Sequence, residues 1–440
     1  MTYPGETETI TYKRAKSKGR KQAILNQFQA EEVHHRLEEC VCPDCDGDLK
    51  EIGTELKRQE LVFIPAQLKR LDHIQHAYKC QTCSEKSDKD KILKAPVPKA
   101  PLAHSLGSAS IIAHTIHQKF NLKVPNYRQE SDWEKLGLPI SRKEIANWHI
   151  KSAQYYLKPL YNRFSDILRE QSVLHADETS YRVLESDTNL TYFWTFLSGK
   201  NEEQGIILYH HNQRRNGQVA KEVLGDFKGY LHCDMWSAYR SLDEDEVTLV
   251  GCWAHVRRKF FEATPKNADS NSLAKKGLSY CDQMFALEKQ WEELDPEVRH
   301  QKRQEQLRPL MEEFFDWCRE QYVLPESKLG RALKYSLDYE STFKTVLEDG
   351  RLVLSNNLAE RAIKSLVMGR KNWLFSQSSE GAESSAIIMT LIETAKLHQV
   401  DSEKYIVFLL EHLPNEETLE KKEVLEAYLP WAKQIQEHCR

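Results

Sequence analysis

VLHADETSYRV, residues 173–183, is the stretch on which the reading of this chain turns. Its flanks are β-branched and aromatic, the composition of a strand, yet Asp177 and Glu178 stand side by side at its centre. A buried strand does not keep unpaired charge, so something outside it must compensate these carboxylates. Successive strand residues face opposite ways, which denies the two acids a common site unless the strand bulges there.

Downstream, NLTYFWTFLSG and GIILYHH read as strands, NGQVAKEVLGDF as a helix, and GYLHCDMWSAY and VTLVGCWAHVRRKFFEA as further strand and helix. Three strands in hairpin order followed by alternating elements indicate an α/β layer structure over 171–262. Within it, Asp234 closes the apolar strand of YLHCDMWSAYR, and Glu360 follows in the helical stretch SNNLAERAIK. Two carboxylates at the ends of two core strands repel unless a cation lies between them. Two divalent ions ~4 Å apart can activate an attacking oxygen and stabilise a leaving one in phosphodiester displacement, and that arrangement takes a third carboxylate, here Glu360.

Taken singly, each acid has an ordinary alternative. Asp177 is open to bonding with backbone amides at a strand end, and Asp234 to capping a helix that starts at MWSAYR. Asn357 followed by Glu360 is a capping-box pattern, and Lys364 stands one turn beyond Glu360. Together, on strand, strand and helix, the three match a ribonuclease H-like arrangement.

Four cysteines carry a second kind of chemistry. Cys42-x2-Cys45 and Cys80-x2-Cys83 form two CxxC knuckles, each able to bring two thiolates to one ion. Two knuckles complete a closed four-sulfur site for a structural Zn2+. Cys40 competes with Cys42 as a ligand but would break the two-residue knuckle. The basic run YKRAKSKGRK, 12–21, carries almost nothing apolar and reads as a flexible arm suited to a phosphate backbone or as a solvated tail. KAPVPKAP, 94–101, reads as an extended connector. Helical periodicity follows over 106–170, where Ser141 and Glu144 form a capping-box signature, and again over 263–346 and 380–412. In the middle helical stretch Tyr280, Met284, Leu287, Trp291 and Leu294, then Leu307, Met311, Phe314 and Cys318, recur at core spacing.

A chain of 440 residues exceeds what one core supports, so several domains are expected. No apolar run approaches the ~20 residues of a membrane-spanning helix, and no secretory h-region opens the chain. The expected compartment is the cytoplasm, where most of the ten cysteines would be reduced or metal-bound.

HADETSYRV, CDMWSAY, GCWAHVRRKF and SNNLAERAIKSLVMGRKNWLFSQSSEGAESSAII, in that order, resemble the insertion sequence 66 family of bacterial transposases. The resemblance covers about residues 34–431, because CPDCDGDL to YKCQTC also resembles that family's zinc-binding module. It implies a catalytic DDE set at Asp177, Asp234 and Glu360 with Mg2+ or Mn2+, and a helical insertion between the second Asp and the Glu. The implied activity is cleavage of element ends and strand transfer to target double-stranded DNA, by a homo-oligomer assisted by other proteins of the element. A ribonuclease H-like nuclease that only hydrolyses, and an inactive transposase-derived DNA-binding protein, are the competing readings.

The expected organisation is a basic arm (1–33), zinc module (34–93), linker (94–105), helical DNA-binding domain (106–170), first part of the ribonuclease H-like core (171–262), helical insertion (263–346), last part of the core with Glu360 (347–379) and a C-terminal helical region (380–440). The family commonly begins with a longer, coiled-coil-like region, so a shortened copy is expected. CWAH, Cys252 to His255, resembles a CxxH signature of several DDE transposase groups and is not a complete zinc site alone. His255, Arg257, Arg258 and Lys259 are expected to orient or neutralise a DNA phosphate, with a strand-capping histidine as the alternative. Arg361, Lys364, Arg370 and Lys371 flank Glu360 as further DNA contacts, and Trp373 is open either to base stacking or to the core.

Overall fold

The computed structural model describes residues 20–27, 30, 32, 54–57, 59, 67–80, 91–188, 190–242, 246–267, 269 and 271–440. The chain divides into two compact units, Met1–Leu71 and Asp72–Arg440. In the first unit, Arg20–Leu25 forms a short helix. The rest of the basic run and Cys40, Cys42 and Cys45 lie outside the described residues, as does Cys83 of the second knuckle.

The second unit opens with a small antiparallel hairpin, β1 (Ala77–Cys80) and β2 (Lys91–Lys94), in which Cys80 faces Lys91. The main sheet holds β3 (Val173–Tyr181), β4 (Thr191–Ser198), β5 (Ile207–Asn212), β6 (Gly229–Cys233) and β7 (Val247–Gly251). Its spatial order is β5-β4-β3-β6-β7. The first three strands run antiparallel, and β6 and β7 run parallel to β3. The alternation of hairpin and crossover read from the sequence is therefore present, and β4, flanked by β5 and β3, is almost wholly buried.

Helices Ala109–Ile116, Arg142–Ser152 and Lys158–Arg169 join helices Ser379–Leu397 and Ser402–His412 and most of the sheet in one core. Ser141 and Glu144 close the expected capping box. Helix Ser379–Leu397 is apolar or small on nearly every side, which suits an element enclosed by others. Its Thr390 and Thr394 hydroxyls accept hydrogen bonds from the N–H groups of Tyr209 (2.9 Å) and Ile207 (3.1 Å) on the edge strand β5.

A second core gathers Val173 and Val250 from the sheet and Met235 from just past β6 with Trp253, Phe260, Met284, Met311 and Phe314 from the helices that follow β7. The expected stripe of Tyr280, Met284, Leu307, Met311, Phe314 and Cys318 is buried here. Arg303 is completely buried among them. Its guanidinium pairs with Glu288 (2.6 Å) and donates to the carbonyls of Val346 (3.0 Å), Asp349 (2.8 Å) and Leu352 (2.7 Å). These bonds satisfy a buried cation and tie the helical segment to the strand of chain that returns to the sheet. That returning segment crosses β7's end, where Trp253 N–H donates to the Leu354 carbonyl at 2.8 Å, and enters helix Asn357–Trp373.

Candidate acidic centre

Parallel pairing of β3 with β6 sets Val173 opposite Tyr230, Leu174 opposite Leu231 and His175 opposite His232. Continued by two residues, that register brings Asp177 beside Asp234, just past the end of β6. On its other side Asp177 pairs with Thr195, which pairs with Tyr209. The Tyr209 hydroxyl donates to the Ala362 carbonyl at 2.7 Å, so helix Asn357–Trp373 lies over the face that carries Asp177. Glu360 is in the first turn of that helix. Burial, then the charge of Glu178, and less strongly those of Asp234 and Glu360, push the Asp177 carboxyl up to about 7, against a hydrogen bond from the Glu178 N–H. Oxygen donors that repel one another in this way fit a divalent cation.

The acids stand on a built support. His175 and His232, each two residues ahead of an aspartate, stack with ring centroids 4.2 Å apart. Burial lowers the pKa of both, His175 to about 4, and keeps the rings neutral. His175 Nδ1–H donates to Asn356 Oδ1 (2.9 Å), and Asn356 Nδ2 donates to the Ala176 carbonyl (2.7 Å). Asn356 is the N-cap residue of the Glu360 helix, but its side chain is engaged with β3 and makes no cap bond. The capping box suggested by Asn357 and Glu360 is therefore replaced by a direct link from helix start to strand. Glu360 Oε1 instead lies 3.5 Å from Arg258 Nη2. The repeated His-x-Asp pattern, in HAD and HCD, was the available signal for this support.

Glu178 faces the other way. Its side chain is 2% exposed and takes an ion pair from Arg215 at 2.6 Å and a hydrogen bond from the Tyr239 hydroxyl at 2.6 Å. Arg215 in turn stacks over Trp236 at 4.0 Å. The acidic pair is thus divided between the sheet's two faces. Asp234 Oδ1 accepts from the Trp236 N–H (3.1 Å) as a turn, and the regular structure beyond it is only the 3-10 stretch Tyr239–Ser241.

The candidate DNA contacts separate into different settings. Helix Trp253–Ala263 carries half-buried His255, Arg257 paired with Asp282 (2.6 Å), Arg258 beside Glu360, and Lys259 over the Tyr335 ring (4.5 Å). A groove lined by Ala254, Arg257, Arg258, Phe261, Phe285 and Asn357 runs past the start of the Glu360 helix. Arg361, Lys364 and Lys371 are exposed. Arg370 is half-buried, bonded to the Ser180 carbonyl and to Thr179 Oγ1 (3.3 Å), where it holds the helix end to β3. Trp373 is half-buried and packs against Phe120, ring centroids 6.0 Å apart.

Residues 104–384 match the Transposase IS66 family, residues 39–84 the zinc-finger binding domain of transposase IS66, and residues 390–431 the IS66 C-terminal element. The chain is similar to the uncharacterized protein y4jD of Sinorhizobium fredii, 27% identical over 410 residues that cover 89% of this chain and 77% of the relative. A second relative from that organism, the uncharacterized protein y4hP, is 25% identical over 415 residues, 89% of this chain and 73% of its own length. The matched segments are those of an insertion-sequence transposase with a zinc-finger module on its N-terminal side. The chain belongs to the IS66 transposase family. Among the described residues, no helix is long and apolar enough to cross a membrane.

Proposed function

We propose that this chain is a DDE transposase with a ribonuclease H-like core, which binds element ends and catalyses metal-dependent strand cleavage and strand transfer on double-stranded DNA. The observation that carries this reading is the convergence of Asp177, Asp234 and Glu360, from two adjacent strands and a helix laid across them, within electrostatic reach of one another. Mg2+ or Mn2+ held by these three carboxylates would supply activation of the attacking oxygen and stabilisation of the leaving one. Asp177 and Asp234 keep their spacing because their strands are paired and the His175–His232 stack lies beneath them. Glu360 keeps its place because Asn356 fixes the helix start. Arg258, with His255, Arg257 and Lys259 on the same helix, offers cationic charge to a phosphate next to the acids. Exposed Arg361, Lys364 and Lys371 extend that charge along the helix, whereas Arg370 serves as a positioning residue.

In this reading 171–262 and 347–379 are the two parts of the core, 263–346 is the insertion, 106–170 is a helical DNA-binding domain and 380–440 is a C-terminal helical region. Residues 1–33 form a basic arm and 94–105 a linker. Cys42, Cys45, Cys80 and Cys83 hold a structural Zn2+ in 34–93. The protein works in the cytoplasm as a homo-oligomer on DNA, with accessory proteins of the same element.

The test is a strand-transfer assay with labelled element ends. Asp177→Asn keeps the shape and removes the charge, and is expected to abolish cleavage and joining while DNA affinity is retained. Cleaved ends without joined products from the wild type would reassign the chain to hydrolysis alone, and full activity of Asp177→Asn would overturn the assignment.

A further inference from the structure

Helix Trp253–Ala263 begins at Cys252, and its first turn packs against the first turn of the Glu360 helix. There the Cys252 thiol, a His255 ring nitrogen and a Glu360 carboxylate oxygen all lie within 4.8 Å of one another. Two of these side chains carry buried polar atoms with no hydrogen-bond partner, His255 Nδ1 and Glu360 Oε1, the latter in a longer ion pair with Arg258 Nη2 at 3.5 Å. Cys252 is 1% exposed, and its sulfur accepts a hydrogen bond from the Asn356 N–H at 3.1 Å. A backbone donor on the sulfur favours a thiolate and holds it in place. Burial opposes that charge, so the sulfur has reason to gain a cationic partner.

We propose that Cys252, His255 and Glu360 form a second metal site, selective for Zn2+ over Mg2+, which shares Glu360 with the acidic centre. Thiolate, imidazole and carboxylate are the donors of a zinc site with one open position, whereas Mg2+ takes oxygen donors in octahedral geometry. Donors at ~2.0–2.3 Å from a tetrahedral ion stand about 3.3–3.8 Å apart, so side-chain rotations of an ångström or less would close the set. Neither Asp177 nor Asp234 belongs to it. Only the sharing of Glu360 rests on the proposed function: an ion held by Cys252 and His255 draws that carboxylate away from the two aspartates, so zinc would act as an antagonist of the magnesium-dependent reaction.

The experiment uses Co2+ as a spectroscopic probe on the full chain, with the knuckle cysteines already filled with Zn2+ and DNA absent. The expected result is a thiolate-to-cobalt charge-transfer band with visible bands of a four-coordinate ion, one equivalent per chain, displaced by Zn2+ and not by millimolar Mg2+. Cys252→Ser removes the charge-transfer band. His255→Asn, at a half-exposed position that leaves the core intact, and Glu360→Gln each weaken cobalt binding by at least about 100-fold, more than loss of an outer-shell partner costs. Asp177→Asn leaves the signal intact, which separates this site from the acidic centre whatever the outcome of the strand-transfer assay. A cobalt signal unchanged by Cys252→Ser and by His255→Asn, or abolished by Asp177→Asn, would overturn the proposal, as would the absence of any signal in the wild type.

Discussion

His175 and His232 stack nearly parallel, their ring planes 9° apart, on neighbouring parallel strands and each two residues ahead of an aspartate. Two neutral imidazoles in van der Waals contact form a rigid floor under carboxylates that repel one another. The floor is locked from one side by Asn356, so the spacing of the acids depends on an amide that touches none of them.

Replacement of Asn356 by Ala strips the His175 Nδ1–H and the Ala176 carbonyl of their partners in a buried setting. The expected cost is about 1–3 kcal/mol, read from the midpoint of denaturant unfolding. Divalent-ion affinity at the acids should fall with it, because the Glu360 helix loses its link to β3. Unchanged stability would show that the amide is dispensable.

The neighbouring acids should behave oppositely. Glu178→Ala leaves the buried Tyr239 hydroxyl and the Arg215 guanidinium without their acceptor and should cost about 1–3 kcal/mol, the half-exposed Arg215 limiting the loss. Asp177→Asn removes a charge that burial and three nearby carboxylates disfavour, so metal-free protein should melt no lower than wild type. Thermal melts of the two variants in a chelating buffer check both signs.

Lys119 Nζ lies over the Phe120 ring (4.8 Å) and the Trp373 ring (5.8 Å), and burial lowers its pKa from 10.5 to about 8. Between those values the unfolded chain binds more protons than the folded one, so this lysine makes stability rise with pH across that window. Lys119→Met should therefore be more stable than wild type at pH 7, by about 1–3 kcal/mol, and the gap should narrow as pH rises from 8 to 10.5. A gap constant over that range would show that Lys119 is not the group that titrates.

Purified protein should hold one zinc per chain at the knuckles, measured by elemental analysis. Thiolate ligation couples the ion to local folding, so Cys80→Ser should release the metal and loosen the module while the main sheet keeps its protection from hydrogen exchange. Protein free of zinc after gentle purification would contradict this.

The strands were legible because their composition is β-branched and aromatic, and the helices because their apolar residues recur at three and four. Ser141 and Glu144 announced a cap and made one. Asn357 and Glu360 announced another and did not, because the helix starts one residue earlier than that pattern requires: Asn356 holds the N-cap position, and its side chain is taken by His175, a partner remote in sequence. Arg370 reads as a DNA contact, and Trp373 as open to base stacking or to the core, because a cation and a large ring near Glu360 carry no sign of where Ser180 and Phe120 will be. Local pattern specifies elements, whereas the support of the acidic centre is made of pairings between residues far apart in the chain. Even so, the His-x-Asp repeat was visible, and two identical spacings on two strands are a symmetry that chance supplies rarely.

Strand β5 ends the sheet on one side, and the threonine hydroxyls of helix Ser379–Leu397 occupy two of its outward N–H groups. An extended chain arriving there finds those donors spent and a helix in its way. A second chain cannot anneal to the sheet along that border, so any contact made there has to be side chain to side chain. Such a contact can be undone without unravelling a ladder.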